Sequence, residues 1–324
     1  MIAVNDPPQA RASAIAAGDL RGANILVVGA SGFLGLPLTR RLVALGAHVT
    51  GVSRHVPASS DDGANWMAGD AGDAAQAARL IDQARPDIVY ILTSASLGGP
   101  DLEFVLPGLH SDLVATLNLL VEATRHGCKH VIMTGSLDEP QGPARTAAPA
   151  TPYAAAKLAA GTYARMFIRR YGAPISILRP MITYGPGQKN YKVVPSTILA
   201  LLQGRPARLS SGRRQVDWVY VDDMVEAFVR TACVAPLPET VDLGSGRLVS
   251  VRDCALRIGH RMGCTHLLEF DPALDRADEQ GDAADTRAAA ELLGWRATTT
   301  LDEGLDKTIA AFQTSWRLRS GTTA

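Results

Sequence analysis

The sequence predicts an α/β fold, a doubly wound parallel sheet followed by a smaller C-terminal lobe. Three observations predict it. Short, β-branched apolar runs alternate with helical patterns over the first 180 residues, as strands covered on both faces require. A glycine-rich turn falls at the first junction between such a run and a helix. After Pro180 the chain changes character, and Gly185-Pro-Gly187, Gly204, Pro206 and Ser210-Ser-Gly212 punctuate shorter elements.

Taken in order, Asn24-Ile-Leu-Val-Val-Gly29 is the first buried strand. A helical pattern through Leu34, Leu38, Leu42 and Leu45 follows and is closed by Gly46. The second strand is His48-Val-Thr-Gly-Val52. Residues 87–92 and 130–133 are further strands, with helices near 73–84 and 111–126. A helix beginning near Pro152 runs to about Tyr171, and Ile175-Ser-Ile-Leu-Arg179 is the next strand. Val216–Val221 reads as a strand whose Asp222-Asp223 caps a helix. Right-handed crossovers leave few ways to connect such units other than a doubly wound sheet.

Composition narrows the function. Of 324 residues, 47% are hydrophobic and 20% charged, which excludes a disordered chain. Acidic and basic residues balance at 32 each, so no general attraction to nucleic acid or an anionic membrane is expected. The four cysteines form no CxxC pair and read as reduced thiols of a cytoplasmic protein. Cys254, His260, Cys264 and His266 cluster in sequence but match no metal-ligand spacing, and no metal site is expected. No apolar run of about 18 residues stands out, so no membrane-spanning helix is expected.

Gly29-Ala-Ser31-Gly32-Phe33-Leu34-Gly35 places three glycines at intervals of three between strand and helix. Glycine allows a sharp turn and a close approach to a pyrophosphate, while the helix start offers free N–H groups. The end of the second strand then selects the cofactor. An acid there would bind a ribose hydroxyl, whereas Ser53 and Arg54 favour the 2′-phosphate of NADP(H), with NAD(H) as the alternative.

Tyr153-Ala-Ala-Ala-Lys157 sets a phenol and an ammonium on one helix face, a turn apart. An ammonium held nearby is expected to lower the phenol from its ordinary value of about 10, making Tyr153 a proton shuttle. The matching hydroxyl should stand at the tip of the preceding strand, where Met133-Thr-Gly-Ser136 offers Ser136 and, in reserve, Thr134.

These motifs resemble the extended short-chain dehydrogenase/reductase family, the nucleotide-sugar epimerases, dehydratases and ketoreductases. The resemblance runs from residue 22 onward and implies a Rossmann NAD(P)-binding domain over 21–180, with 214–245 returning to it. It implies a substrate-binding lobe of 181–213 and 246–318; residues 1–20, Ala-rich with Pro7 and Pro8, are expected to be a mobile tail. It also implies that Asp70 meets the adenine and that Leu92, Thr93 and Ser94 line the cofactor. Pro180 and Ile182 would then stand at the nicotinamide, with Ser96, Thr134, Arg214 and Arg276 at the substrate. Counting back from Gly142, the family's hydroxyl frame falls on Leu137, which cannot donate a hydrogen bond, so Ser136 takes the role. Asp138-Glu139 is similar to the dehydratases' acidic pair, but Leu137 stands where they carry threonine, and both acids read as solvated. Asp112 replaces a usual asparagine, and Val216 replaces a diphosphate-binding arginine, for which Arg213 or Arg214 could substitute.

The implied reaction is NAD(P)-dependent redox at a secondary alcohol or ketone of a nucleotide-activated sugar, first of all 4-ketoreduction. An epimerase retaining NAD, a reductase of a small non-sugar ketone and a non-catalytic dinucleotide sensor are the alternatives. A homodimer is expected through the helices near 111–126 and 152–171.

Overall fold

A computed structural model describes residues 19–56, 62–94, 101–139, 148–238, 240–275 and 281–320. The elements are β1 (Asn24–Val28), α1 (Gly35–Ala44), β2 (His48–Ser53), β3 (Asn65–Ala68), α2 (Ala74–Ala84), β4 (Ile88–Ile91), α3 (Val105–Gly108), α4 (Ala115–Arg125), β5 (His130–Thr134), α5 (Pro152–Tyr171) and β6 (Ile175–Pro180). They continue as β7 (Ile182–Tyr184), α6 (Val193–Leu202), β8 (Ala207–Leu209), β9 (Gln215–Tyr220), α7 (Val221–Ala232), β10 (Val241–Leu243), β11 (Leu248–Ser250), α8 (Val251–Met262), β12 (Leu268–Phe270), α9 (Thr286–Leu293) and α10 (Leu301–Ser320).

Seven strands form one sheet in the order β10-β6-β5-β4-β1-β2-β3. From β3 through β6 every neighbouring pair is parallel, as the sequence predicts. The sheet grows one way from β1 to β3 and the other way from β4 onward, so the switch point lies between β1 and β4. Ligands of doubly wound sheets bind at that crevice, beyond the carboxyl ends of the strands. Leu26, Val28, Ile91, Leu119, Leu120 and Ile177 belong to one buried cluster around these strands. Each such side chain contributes roughly 1.5–3 kcal/mol on leaving water.

The chain divides into two compact units, Met1–Arg179 with Val225–Val241, and Pro180–Met224 with Asp242–Ala324. In the second unit β11, β9 and β7 form a three-stranded sheet, and β12 pairs with β8. Asp217 on β9 knits this unit together. Its carboxylate accepts the Ser245 N–H at 2.7 Å, the Ser245 hydroxyl, the Gly246 N–H at 2.9 Å and the Ala284 N–H at 3.1 Å.

Three elements differ from the sequence expectation. β3 was not foreseen, since four residues at a sheet edge carry too little pattern to stand out. α7 begins at Val221, so Asp222 and Asp223 lie inside its first turn instead of capping it. Asp223 instead accepts the Thr298 hydroxyl at 2.9 Å and the Thr299 N–H at 2.8 Å.

The helix expected near 111–126 is longer, running from α3 through a π turn, Leu109–Val114, into α4. By length and composition alone the stretch Leu102–Arg125 could cross a bilayer, its most apolar 18-residue window having mean hydropathy 1.5, where none was expected. Its Leu119, Leu120 and Ala123 instead bury into the core of the sheet, and its Asp112 is fully buried.

Candidate active site

The glycine loop leaves β1 at the switch point. Gly29 has φ +90°, and a Cβ there would stand 2.9 Å from the Leu92 carbonyl oxygen, just past β4. A Cβ on Gly35 would collide with the Gly29 carbonyl oxygen. Only glycine lets the loop pass the end of β4 and lets α1 start against it. Leu34 caps α1 without a side-chain hydrogen bond, and no acid occupies the first turn. The start of α1 therefore presents a positive dipole end, uncompensated by any acid of its first turn, beside exposed Ser31 and Gly32 and half-buried Phe33.

Two further observations fit a dinucleotide. The Ser31 and Ser53 hydroxyls meet at 2.7 Å, bringing the end of β2 and exposed Arg54 to the loop. The Thr93 hydroxyl oxygen is buried with no partner among the described residues, a cost a polar ligand group would relieve. Leu92 is half-buried and Ser94 exposed beside it. Asp70, past β3, accepts the Gly72 N–H at 2.8 Å and faces the His110 imidazole at 3.3 Å.

α5 carries the phenol and the ammonium. Thr151 accepts the Ala154 N–H at 3.1 Å as N-cap, Pro152 occupies the first turn, and Gly172 closes the helix at φ +63°. Ser136, buried two residues past β5, accepts the Asp138 N–H at 3.1 Å and hydrogen-bonds Tyr153. The Lys157 ammonium lies 5.9 Å from the Tyr153 ring centroid. It donates to the Thr93 carbonyl at 3.2 Å and to the Thr134 carbonyl and hydroxyl at 3.3 and 3.1 Å. The structure thus gathers Ser136, Tyr153 and Lys157, and reaches the loop's edge through Thr93. Thr134, held in reserve as a substrate contact, commits its hydroxyl to Lys157.

The acidity of the phenol runs against expectation. Burial pushes Tyr153 well above its ordinary value; the Ser136 hydrogen bond opposes this, and the charges of Asp112, Asp138 and Glu139 add to it. The Lys157 ammonium near the ring is itself paired with Asp112 at 3.3 Å. The second correction concerns the acids after Ser136. Asp138 is exposed as expected, but Glu139 is buried and accepts the Ser136 N–H at 2.6 Å. Burial raises the Glu139 carboxyl, while that N–H, Arg179, Lys157 and Arg165 restrain the rise.

Asp112 and Glu139 are the site residues whose contacts sequence reasoning missed. Both were visible as departures or matches in a motif, but neither their burial nor their partners were. Pro180 ends β6 and Ile182 opens β7, both half-buried in the second unit. Arg213 is exposed and Arg214 half-buried there, while Val216 is buried opposite Val249. Ser96, Gly142 and Arg276 lie outside the described residues.

A serine hydroxyl on a phenol, a lysine one helical turn along and a glycine loop at the switch point are together the arrangement of the extended short-chain dehydrogenase/reductases. The profile of the NAD dependent epimerase/dehydratase family matches residues 25–244, and the chain belongs to that family. It is 30% identical over 314 residues to the UDP-glucose 4-epimerase of Mycolicibacterium smegmatis, covering 89% of this chain and 98% of that protein. It is 28% identical over 327 residues to the dTDP-glucose 4,6-dehydratase of Xanthomonas campestris pv. campestris, covering 90% and 93%. Among solved structures, UDP-glucose 4-epimerase of Thermotoga maritima with UDP-glucose superposes with a TM-score of 0.83 at 24% identity, covering 90% and 99%. MoeE5 in complex with UDP-glucuronic acid and NAD gives a TM-score of 0.79 at 27% identity, with the same coverage.

Proposed function

We propose that the chain transfers hydride at a ring carbon of a nucleotide-activated sugar, with Tyr153 giving its proton to a ketone oxygen in a 4-ketoreductase reaction. The observation that carries this reading is the Tyr153 phenol, hydrogen-bonded by Ser136 and kept in its protonated form by burial and nearby carboxylates. A protonated phenol is a donor for an oxygen that gains negative charge as hydride arrives. Ser136 would orient that oxygen and Lys157 would hold the cofactor ribose. The dinucleotide, when bound, supplies the hydride. Its pyrophosphate would rest on the start of α1, and Ser53 with Arg54 would favour NADP(H). In the second unit Arg213 and Arg214 supply positive charge suited to a diphosphate.

Elimination of water is the less suited chemistry. Leu137 brings no hydroxyl, and Glu139 already accepts the Ser136 N–H. Epimerisation is the second reading, favoured by the nearly full-length likeness to a UDP-glucose 4-epimerase. The dinucleotide released when purified protein is denatured separates the two: tightly kept NAD supports epimerisation, and an empty protein that oxidises NADPH with a UDP-4-keto sugar supports reduction. Neither NADPH oxidation nor interconversion of UDP-glucose and UDP-galactose would overturn both.

A homodimer is part of this proposal. Tyr163, Met166 and Tyr171 on α5, one of the two helices expected to pair, are exposed large apolar residues, as are Leu102, Val105, Leu106 and Leu109 on the stretch leading into the other. A second copy covering them would remove an apolar patch from water.

A further inference from the structure

Asp112 lies in the π turn and pairs with Lys157 at 3.3 Å, the two side chains being 0% and 3% exposed. Ser111 donates its hydroxyl to the other Asp112 oxygen at 3.0 Å, and the Thr116 hydroxyl donates to the Asp112 carbonyl at 2.8 Å. The acid is therefore held by its own helix while it faces α5. π turns are rare and tend to occur where a helix must place a particular side chain. Lys157 directs its N–H donors to the Thr93 carbonyl and to the Thr134 carbonyl and hydroxyl, and Asp112 meets the ammonium as an ion pair. An uncharged residue at 112 would leave the full ammonium charge to act on the Tyr153 ring 5.9 Å away.

We propose that Asp112 is a positioning residue of the catalytic centre. It anchors Lys157 over Thr93 and Thr134, offsets the ammonium charge, and so sets the pH at which Tyr153 exchanges its proton. The inference rests on the catalytic reading of Tyr153 above. Among the described residues the charged groups around the phenol are Lys157 from α5, Asp112 from the π turn, and Asp138 and Glu139 from the loop after β5. Arg165 of α5 and Arg179 of β6 act on Glu139, and His110 of the π turn faces Asp70 instead.

The test reads the phenol and not the reaction. Phenolate absorbance of the cofactor-free protein is followed against pH, with the curve of the matching Tyr153→Phe protein subtracted and folding monitored by circular dichroism. Asp112→Asn should move the Tyr153 midpoint down by about one pH unit or more, since an uncompensated cation within reach has that effect. A folded Asp112→Asn protein with an unmoved midpoint overturns the proposal. Should the single variant not fold, the double variant Asp112→Asn with Lys157→Met removes both charges of the buried pair. Its midpoint should lie within about half a unit of the parent, because two offsetting charges have been removed together. A rise of about one unit or more would mean that Lys157 alone had governed Tyr153, and would overturn the proposal. A shifted midpoint in a protein that never transfers hydride supports the role of Asp112 and counts against the reaction proposed above.

Discussion

The His130 imidazole meets the Ser176 hydroxyl at 2.7 Å, across neighbouring strands β5 and β6. Ser176 also accepts the Leu237 N–H at 2.9 Å, so a neutral imidazole completes a closed buried group. Burial lowers His130 from the ordinary 6.5 to about 4. The unfolded chain therefore binds the proton more readily between those values. Its contribution is full above pH 6.5 and falls as pH drops toward 4. The loss over that window is on the order of 3 kcal/mol. Urea unfolding of parent and His130→Gln across the window should show the steeper decline in the parent; parallel declines would refute this assignment.

Tyr153→Phe keeps the ring and removes the proton. Turnover should fall by roughly 10²–10⁴-fold, the range for loss of a general acid. Dinucleotide affinity, measured by titration calorimetry, should stay within a few-fold of the parent. A variant that keeps most of its turnover would remove Tyr153 from the chemistry.

Gly35→Ala should weaken dinucleotide binding at least tenfold. The new Cβ meets the Gly29 carbonyl oxygen and lies 2.9 Å from the Ala30 Cα, both backbone atoms of the loop itself. Such overpacking costs about 1–3 kcal/mol, so the melting temperature should fall as well. Unchanged binding would mean that the loop does not carry the pyrophosphate.

Asp217→Asn tests the second unit. The carboxylate accepts on both oxygens, and an amide would turn one of them into a donor facing the N–H groups of its partners. A loss of about 3 kcal/mol in denaturant unfolding is expected, the scale of a charge-assisted bond lost with its partners left buried. A change below about 0.5 kcal/mol, the level of an ordinary surface substitution, would show that these bonds contribute little.

Much of this was legible in the chain itself. α5 was readable to its ends because Pro152 sets its first turn and Gly172 its last. The parallel, doubly wound sheet followed from apolar runs separated by helices, and the loop at the first strand–helix junction followed from its glycines. What escaped was tertiary. Nothing local tells that Asp112 reaches a lysine far along the chain, because the partner comes from another helix. Glu139 read as solvated because a loop acid usually is; its burial depends on Ser136, Arg179 and Arg165 converging on it. The phenol's proton affinity was misjudged for the same reason, since its burial first, and the carboxylates of Asp112, Asp138 and Glu139 after it, arise only in the folded chain.

The π turn has a consequence for heredity as much as for shape. Its wider winding puts the ends of the 102–125 stretch out of phase, so that Leu106 looks outward while Leu119 and Leu120 look into the sheet. Deleting one residue between 109 and 114 would let the turn tighten into ordinary helix. Everything before it would rotate by about 100° relative to α4. One codon lost here would thus present a different outer face and, in the same stroke, shift Asp112 against Lys157, tying the surface of this helix to the centre behind it.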